Sequence, residues 1–200
     1  MIYIVNGLPG AGKTTFEDKV QQIMGKCYCY KISTIDFVKE LAVQCGWNGT
    51  KDAKNRKFLS ELKQLLIDWN DVPFQKVAGQ IKKISKEAEE AGLDIKKVAF
   101  FVDCREPEEI QKFCTRLGAK TIFIQREEVK DKELSNSSDQ NVFKYNYDII
   151  INNNGTLAEL NEAAIKFIED QDLYTIYAPS LNYAQVDING NLIYEKPDEH

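Results

Sequence analysis

Short apolar runs alternate with stretches of helical periodicity along the first 170 residues. The runs predict five strands, at residues 1–5, 27–33, 98–102, 120–125 and 147–151. Helical spacing of apolar residues begins at Phe16, behind the first run, and a last amphipathic helix is predicted over residues 156–169. This alternation predicts a three-layer α/β domain around a mainly parallel, five-stranded sheet.

Residues 34–92 interrupt the alternation, because no strand pattern occurs within them. Ser33 or Thr34 is predicted to cap a helix whose apolar face consists of Val38, Leu41, Ala42 and Cys45. Two further helical patterns follow, at residues 58–69 and 77–91. We therefore predict a helical insertion between the second and third strands.

Two other segments depart from the α/β pattern. Residues 127–142 are polar and lack apolar periodicity, so we expect a surface loop or lid there. Residues 185–194 alternate around an Asn-Gly pair, which predicts a β-hairpin. We divide the chain into a domain of residues 1–170 and an extension of residues 171–200, which could cover a sheet edge or make a homodimer contact.

The turn after the first run carries the strongest chemical signal. Residues 7–15 read Gly-Leu-Pro-Gly-Ala-Gly-Lys-Thr-Thr, which matches the phosphate-binding pattern G-x-x-x-x-G-K-[ST] between a strand and a helix. Lys13 is expected to reach the β- and γ-phosphates, and the Thr14 hydroxyl is expected to bind Mg²⁺. The sequence therefore predicts ATP and Mg²⁺ as cofactors, bound by Gly7, Gly10, Ala11, Gly12, Lys13, Thr14 and Thr15.

Polar residues at predicted strand ends extend this site. Asp103 leaves the apolar run 98–102 and suits a second Mg²⁺ contact. Arg105 and Arg126 follow the third and fourth strands, although only four of the 26 basic residues are arginine. A guanidinium holds phosphate bidentately and lysine does not. We therefore expect catalysis to depend on Lys13, Asp103, Arg105 and Arg126.

Composition excludes several other classes. The 31 acidic and 26 basic residues give a net charge of −5 without a basic run, which disfavours a polynucleotide partner. No apolar run reaches membrane-spanning length, so we expect a cytoplasmic protein without a membrane partner. The only histidine is His200, which excludes Ser-His and Cys-His nucleophilic pairs. The five cysteines form no CxxC pair, and we expect buried thiols.

Several segments resemble nucleoside monophosphate kinases. Residues 32–39, Ile-Ser-Thr-Ile-Asp-Phe-Val-Lys, are similar to the acceptor-binding segment I-S-T-x-D-x-x-[RK] of adenylate kinase and its relatives. The resemblance implies that Thr34, Asp36 and Lys39 face a monophosphate acceptor. It also implies that the helical insertion binds the acceptor and moves, with Arg56 as a further phosphate contact; a solvated helix surface is the alternative for Arg56.

The second half of the chain is most similar to bacteriophage deoxynucleoside monophosphate kinases and the related phosphomevalonate kinases. The matching pieces are Asp103-Cys104-Arg105, Glu109-Ile110-x-x-Phe113, Gly118-Ala119, the strand ending in Arg126, and residues 147–157. The similarity implies that Arg105 also contacts the acceptor. Residues 136–139, Asn-Ser-Ser-Asp, differ from these families, which have a histidine in that segment.

The resemblance implies transfer of a phosphoryl group from ATP to a (deoxy)nucleoside monophosphate, a small-molecule nucleotide substrate. The phosphate of such an acceptor is ionised near neutral pH, so no strong general base is required. Two alternatives remain open. One is a kinase of a phosphomevalonate-like phosphate or of a hydroxyl acceptor, with Asp36 as the base in the latter case. The other is a nucleotide-binding regulatory module without kinase activity.

Overall fold

The computed structural model describes residues 1–50, 52–129 and 142–174 together with two short strands in the tail. The sheet strands are β1 (Ile2–Asn6), β2 (Cys29–Ser33), β3 (Ala99–Asp103), β4 (Lys120–Gln125) and β5 (Ile149–Asn152). The helices are α1 (Lys13–Met24), α2 (Asp36–Gln44), α3 (Ala53–Asn70), α4 (Val72–Glu90), α5 (Pro107–Leu117) and α6 (Leu157–Asp170). All five predicted strands are present, at bounds close to those that the apolar runs indicated.

The five strands form one parallel sheet, as predicted, and their order in it is β2-β3-β1-β4-β5. β1 lies in the centre, between β3 and β4, so the strand order reverses beside it. Ser33 and Val5 both pair with Asp103, which aligns the carboxyl ends of β2, β1 and β3. In open parallel sheets ligands bind outside these ends, at the point where the strand order reverses. The glycine-rich loop after β1 lies at that point.

Two hydrophobic cores, one on each face of the sheet, hold this edge in place. One core joins alternate strand residues to α1 and α6 and includes Tyr3, Val5, Phe101, Phe16 and Phe167. The other joins the intervening residues to α4 and α5 and includes Ile4, Phe100, Val102, Val77 and Phe113. Because β1 and β3 are buried on both faces, their sequences are continuous apolar runs.

The helices α2, α3 and α4 occupy the predicted insertion between β2 and β3. The predicted cap of α2 by Ser33 or Thr34 is wrong: the N-cap residue is Ile35, and it makes no side-chain hydrogen bond. Thr34 is buried instead, and its hydroxyl donates a hydrogen bond to the carbonyl oxygen of Asp103 at 3.3 Å. This contact joins the start of the insertion to the end of β3.

α3 differs from the other long helices because none of its residues is buried. It packs on α2 and α4 through half-buried side chains, while Leu65 and Trp69 are 64% and 81% exposed. The apolar pattern of residues 58–69 therefore predicts the helix correctly but does not form a buried core. No helix in the described residues is long and apolar enough to cross a membrane.

Other predictions were confirmed in part. Gln185–Val186 and Leu192–Ile193 pair antiparallel, as the hairpin prediction requires. Its Asn-Gly turn lies outside the described residues, as do residues 130–141 of the expected lid and the segment 136–139. Cys29 and Cys104 are buried, but Cys27 and Cys45 are exposed in a loop and at a helix end, so the expectation of buried thiols is wrong for these two.

Candidate functional site

The loop after β1 has a backbone that only glycine tolerates at two points. Gly7 and Gly12 have φ angles of +149° and +94°, a region that residues with a side chain rarely adopt. A Cβ atom on Gly7 would lie 2.5 Å from the carbonyl oxygen of Ile124, and one on Gly12 would lie 2.2 Å from Asn153 Nδ2. These glycines let the loop lie against β4 and the turn after β5.

The loop ends at the start of α1, whose first turn is open to an anion. The N-cap residue is Gly12, which has no side chain that could cap the helix. The first backbone N–H groups of a helix have no partner within the helix, and the helix dipole adds partial positive charge there. This helix start, which includes Lys13, Thr14 and Thr15, therefore has the geometry of a phosphate site.

Lys13 reaches back across the loop. Its Nζ donates hydrogen bonds to the carbonyl oxygens of Gly7 at 2.8 Å and Leu8 at 3.1 Å. The ammonium is therefore held beside the same backbone that is expected to surround the phosphates. Thr14 is exposed at the start of α1, so its hydroxyl is accessible from solvent.

A cavity of about 420 Å³ opens over the loop. Its walls come from the loop and start of α1, from the residue after β4, and from the segment between β5 and α6. The lining residues are Gly10, Gly12, Lys13, Thr14, Thr15, Arg126, Asn153, Gly155, Thr156, Leu157 and Leu160. The cavity thus combines the glycine-rich loop with a guanidinium.

Arg126, which lines this cavity, has one hydrogen-bond donor without a partner among the described residues. It follows β4 directly, and its Nη2 donates a hydrogen bond to Glu128. Its Nε is buried and has no hydrogen-bond partner among the described residues. A buried donor without a partner is costly, and a phosphate oxygen in the cavity would satisfy it.

Asp103 and Arg105 lie where β3 ends. Burial raises the pKa of the Asp103 carboxyl, while the positive charges of Lys13 and Arg105 act in the opposite direction. Both cations are therefore close enough to affect this carboxylate. The carbonyl oxygen of Arg105 also accepts a hydrogen bond from Asn6 Nδ2 at 3.4 Å. The structure thus brings four predicted catalytic residues, Lys13, Asp103, Arg105 and Arg126, to one edge of the sheet.

The predicted acceptor residues fall into three groups. Thr34 is buried, as described above. Asp36 and Lys39 form an ion pair of 3.4 Å on the first turn of α2, with side chains 59% and 45% exposed, and the charge of Asp36 contributes to the raised pKa of Asp103. Arg56 is exposed on the first turn of α3, and the described contacts do not join it to the other predicted site residues.

Two asparagines that the sequence analysis missed support the loop. Asn6 is fully buried; its Oδ1 accepts a hydrogen bond from Gly7 N at 2.8 Å, and its Nδ2 donates one to the Tyr147 hydroxyl, also at 2.8 Å. Asn153 Nδ2 donates a hydrogen bond to the carbonyl oxygen of Ala11 at 2.8 Å. The position of Asn6 directly before the loop could have indicated its contact with the loop. Asn153 gave no such indication, because its segment has the sequence of an ordinary turn.

Glu17 is a buried carboxyl that was also missed. It is 3% exposed, and its Oε1 has no hydrogen-bond partner among the described residues. Burial, followed by the charge of Asp103, raises the pKa of Glu17 to about 8. The spacing of four residues after Lys13 was a signal, because residues i and i+4 share one face of a helix.

The oxygen donors of this site suit Mg²⁺. Mg²⁺ in nucleotide sites is held by one or two protein oxygens, by water and by the phosphates themselves. The Thr14 hydroxyl is accessible at the cavity, and the carboxylate of Asp103, destabilised by burial, gains from a nearby cation. The residues present therefore fit this metal.

No family model matches the chain, and no curated protein matches it. Among solved structures, dephospho-CoA kinase from Campylobacter jejuni is 17% identical over 85% of this chain and 96% of its own, with a TM-score of 0.44. Shikimate kinase from Aquifex aeolicus is 14% identical over 86% and 98%, with a TM-score of 0.44. A sugar kinase from Janibacter sp. is 14% identical over 84% and 94%, with a TM-score of 0.40. At these scores the function has to be inferred from the site itself.

Proposed function

We propose that the protein transfers the γ-phosphoryl group of ATP to a (deoxy)nucleoside monophosphate and releases the diphosphate and ADP. The observation that supports this most strongly is the cavity shared by Lys13, Thr14 and Arg126, in which the buried Nε of Arg126 has no partner in the part of the chain that the structure describes. A net charge of −5 favours a free nucleotide over a polynucleotide as the substrate. We also propose a cytoplasmic location.

Catalysis by this site is positioning combined with charge neutralisation. Lys13 and Arg126 neutralise charge on the transferring phosphoryl group, and Arg105 does so from the end of β3. Thr14 and Asp103 would hold Mg²⁺, and the bound ion would supply positive charge that neutralises the phosphates. An oxygen of the acceptor forms a bond to the γ-phosphorus while the bond to ADP breaks.

The acceptor binds between the carboxyl ends of β2 and β3 and the helices α2–α4. Asp36 and Lys39 lie at this end of the sheet, on the first turn of α2. A monophosphate is already ionised near neutral pH and needs no strong base. Closure of α2–α4 would exclude water and so prevent hydrolysis of ATP.

A hydroxyl acceptor is the second candidate, because the charge of Asp36 reaches Asp103. The interaction indicates that the carboxylate of Asp36 lies near Asp103, the proposed metal ligand. There Asp36 could accept the proton of a hydroxyl group. Asp36→Asn separates the two candidates. A collapse of kcat with intact ATP binding favours the hydroxyl acceptor, whereas mainly weakened acceptor binding favours the monophosphate.

The test of the proposed function is an ADP-release assay with purified protein, ATP and Mg²⁺. The acceptors are ribo- and deoxyribonucleoside monophosphates, phosphomevalonate and a set of hydroxyl compounds, with Lys13→Ala as the control. We expect turnover with at least one monophosphate nucleotide and its loss in the Lys13 variant. Slow hydrolysis that no acceptor stimulates would instead indicate a regulatory module.

A further inference from the structure

Lys63, in the middle of α3, reaches out of the helical insertion toward the sheet. Its Nζ donates hydrogen bonds to Glu109 Oε2 of α5 at 2.6 Å and to Thr34 Oγ1 at 3.1 Å. The Lys63 and Glu109 side chains are only 18% and 11% exposed. This ion pair therefore connects three separate parts of the chain at the carboxyl end of β2.

The contact with Lys63 limits the further hydrogen bonds that the Thr34 hydroxyl can make. Its single hydroxyl proton is donated to the carbonyl oxygen of Asp103 at 3.3 Å, while its oxygen accepts from Lys63. Thr34 therefore has no donor left for an acceptor phosphate. An ammonium has three donors, and Glu109 and Thr34 accept two of those on Lys63. Among the described residues, Lys63 is the cation whose side chain donates a hydrogen bond to Thr34.

A second ion pair already joins α5 to the insertion, so Lys63 is not needed for that purpose alone. Lys112 of α5 contacts Asp71, between α3 and α4, at 2.7 Å, and their side chains are 24% and 23% exposed. This pair has similar length and burial, but its described contacts do not include a strand end. A partly buried ion pair is weak evidence for stability, because desolvation offsets the attraction. The position of Lys63 therefore calls for another explanation.

We propose that Lys63 is an acceptor-binding residue, whose third N–H donor contacts an anionic group of the acceptor, and that Glu109 is the positioning residue that orients it. This inference rests on the proposed function, since it specifies how the acceptor is held. It assigns to Lys63 the phosphate contact that the sequence analysis gave to Thr34, with Thr34 as its support. It also predicts that an acceptor needs an anionic group at this position.

The test compares Lys63→Met, Lys63→Arg and the matched control Lys112→Met, all with the ribo- or deoxyribonucleoside monophosphate that the wild-type protein phosphorylates fastest in the ADP-release assay. Acceptor KM and kcat come from initial rates, and the Kd of ATP with Mg²⁺ comes from calorimetry. We expect Lys63→Met to raise the acceptor KM by about tenfold or more, in line with the loss of a charge-assisted hydrogen bond. We expect the ATP Kd to be unchanged, Lys63→Arg to recover most of the loss, and Lys112→Met to behave like the wild-type protein.

Four outcomes overturn the proposal. If Lys63→Met and Lys112→Met raise the acceptor KM equally, or if Lys63→Met weakens ATP binding as well, Lys63 only maintains the fold. A wild-type protein that binds ATP but phosphorylates no acceptor overturns the proposed function, and this inference with it. Failure of the inference alone is distinguishable, because the wild-type protein is then active and Lys63→Met keeps the wild-type acceptor KM.

Glu109→Gln tests the positioning role separately. We expect this variant to raise the acceptor KM several-fold, and the double variant Lys63→Met/Glu109→Gln to be no worse than Lys63→Met alone, because Glu109 acts through Lys63. Additive effects of the two substitutions would contradict the role of Glu109.

Discussion

Asn153 Nδ2 donates a hydrogen bond to the carbonyl oxygen of Ala11 at 2.8 Å and so connects the turn after β5 to the glycine-rich loop after β1. The two residues are 142 positions apart in the sequence, and both are buried. Because Asn153 also lines the cavity, the conformation of the loop depends on a distant strand end as well as on its own glycines. This relationship leads to two predictions about the loop.

Asn153→Ala is expected to weaken ATP binding and to lower the free energy of unfolding by about 1–3 kcal/mol, because the buried carbonyl of Ala11 loses its donor. Urea denaturation measures the stability change, and calorimetry with ATP and Mg²⁺ measures the binding change. Asn152→Ala, at the exposed neighbouring position, is the control. Equal behaviour of the two variants would show that the hydrogen bond does not support the loop.

Gly12→Ala is expected to abolish detectable ATP binding. The new Cβ would meet Asn153 Nδ2 at 2.2 Å and would also occupy a backbone conformation with φ of +94°. Gly46→Ala is a matched control, since Gly46 has φ of +90° but open space around it. Urea denaturation of both variants therefore separates the stability cost of the steric conflict from that of backbone strain, and calorimetry of Gly12→Ala measures ATP binding. ATP affinity that is unchanged in Gly12→Ala would contradict the account of the loop.

The sequence was sufficient to predict the sheet, its parallel strands and the loop, because these depend on local patterns. Continuous apolar runs identify strands that are buried on both faces, and β3 is the clearest case. The cap of α2 was predicted wrongly because Thr34 fits a local rule for helix caps, whereas a tertiary hydrogen bond to Asp103 decides its conformation. Local propensity could not show that competing partner.

The contacts of Lys63 and Asn153 were beyond prediction for a related reason. Each joins segments that are far apart in the sequence: Lys63 and Glu109 are 46 residues apart, and Asn153 and Ala11 are 142 residues apart. A lysine in an amphipathic helix normally lies on a solvated face, and an asparagine in an Asn-rich turn normally serves the turn. Only the tertiary fold shows the hydrogen bonds that these two residues make.

Glu17 predicts a distinctive pH dependence of stability. Its pKa is raised from 4.5 to about 8 by burial and by the charge of Asp103, so the native state binds this proton more tightly than the unfolded state. The free energy of unfolding therefore falls as pH rises through this range, and the loss is complete above about pH 8. The size of the loss is on the order of a few kcal/mol.

Glu17→Gln removes this titration, and urea denaturation between pH 5 and roughly pH 9 measures the result. We expect the variant to gain stability relative to the wild-type protein as the pH increases. Glu162→Gln, on an exposed position of α6, should leave the wild-type profile unchanged. Parallel profiles for Glu17→Gln and the wild-type protein would rule out a raised pKa at Glu17.

Arg126→Lys is expected to lower kcat by about 10²- to 10³-fold, because an ammonium does not reproduce the planar, forked contact of a guanidinium with the phosphoryl group. ATP affinity should fall less than kcat, since the loop and Lys13 remain. Arg116→Lys is the control, because Arg116 is 60% exposed on α5 and pairs with Asp71 outside the cavity. Initial-rate measurements on both variants provide the comparison. A kcat near the wild-type value in Arg126→Lys would remove this residue from the catalytic group.

The most direct test of the central claim follows a radiolabelled γ-phosphoryl group from ATP in the presence of Mg²⁺ and the panel of monophosphates. The account predicts that the label appears in a nucleoside or deoxynucleoside diphosphate, and that Lys13→Ala abolishes the transfer. Label found only in inorganic phosphate, or label that remains in ATP with every acceptor, would contradict it.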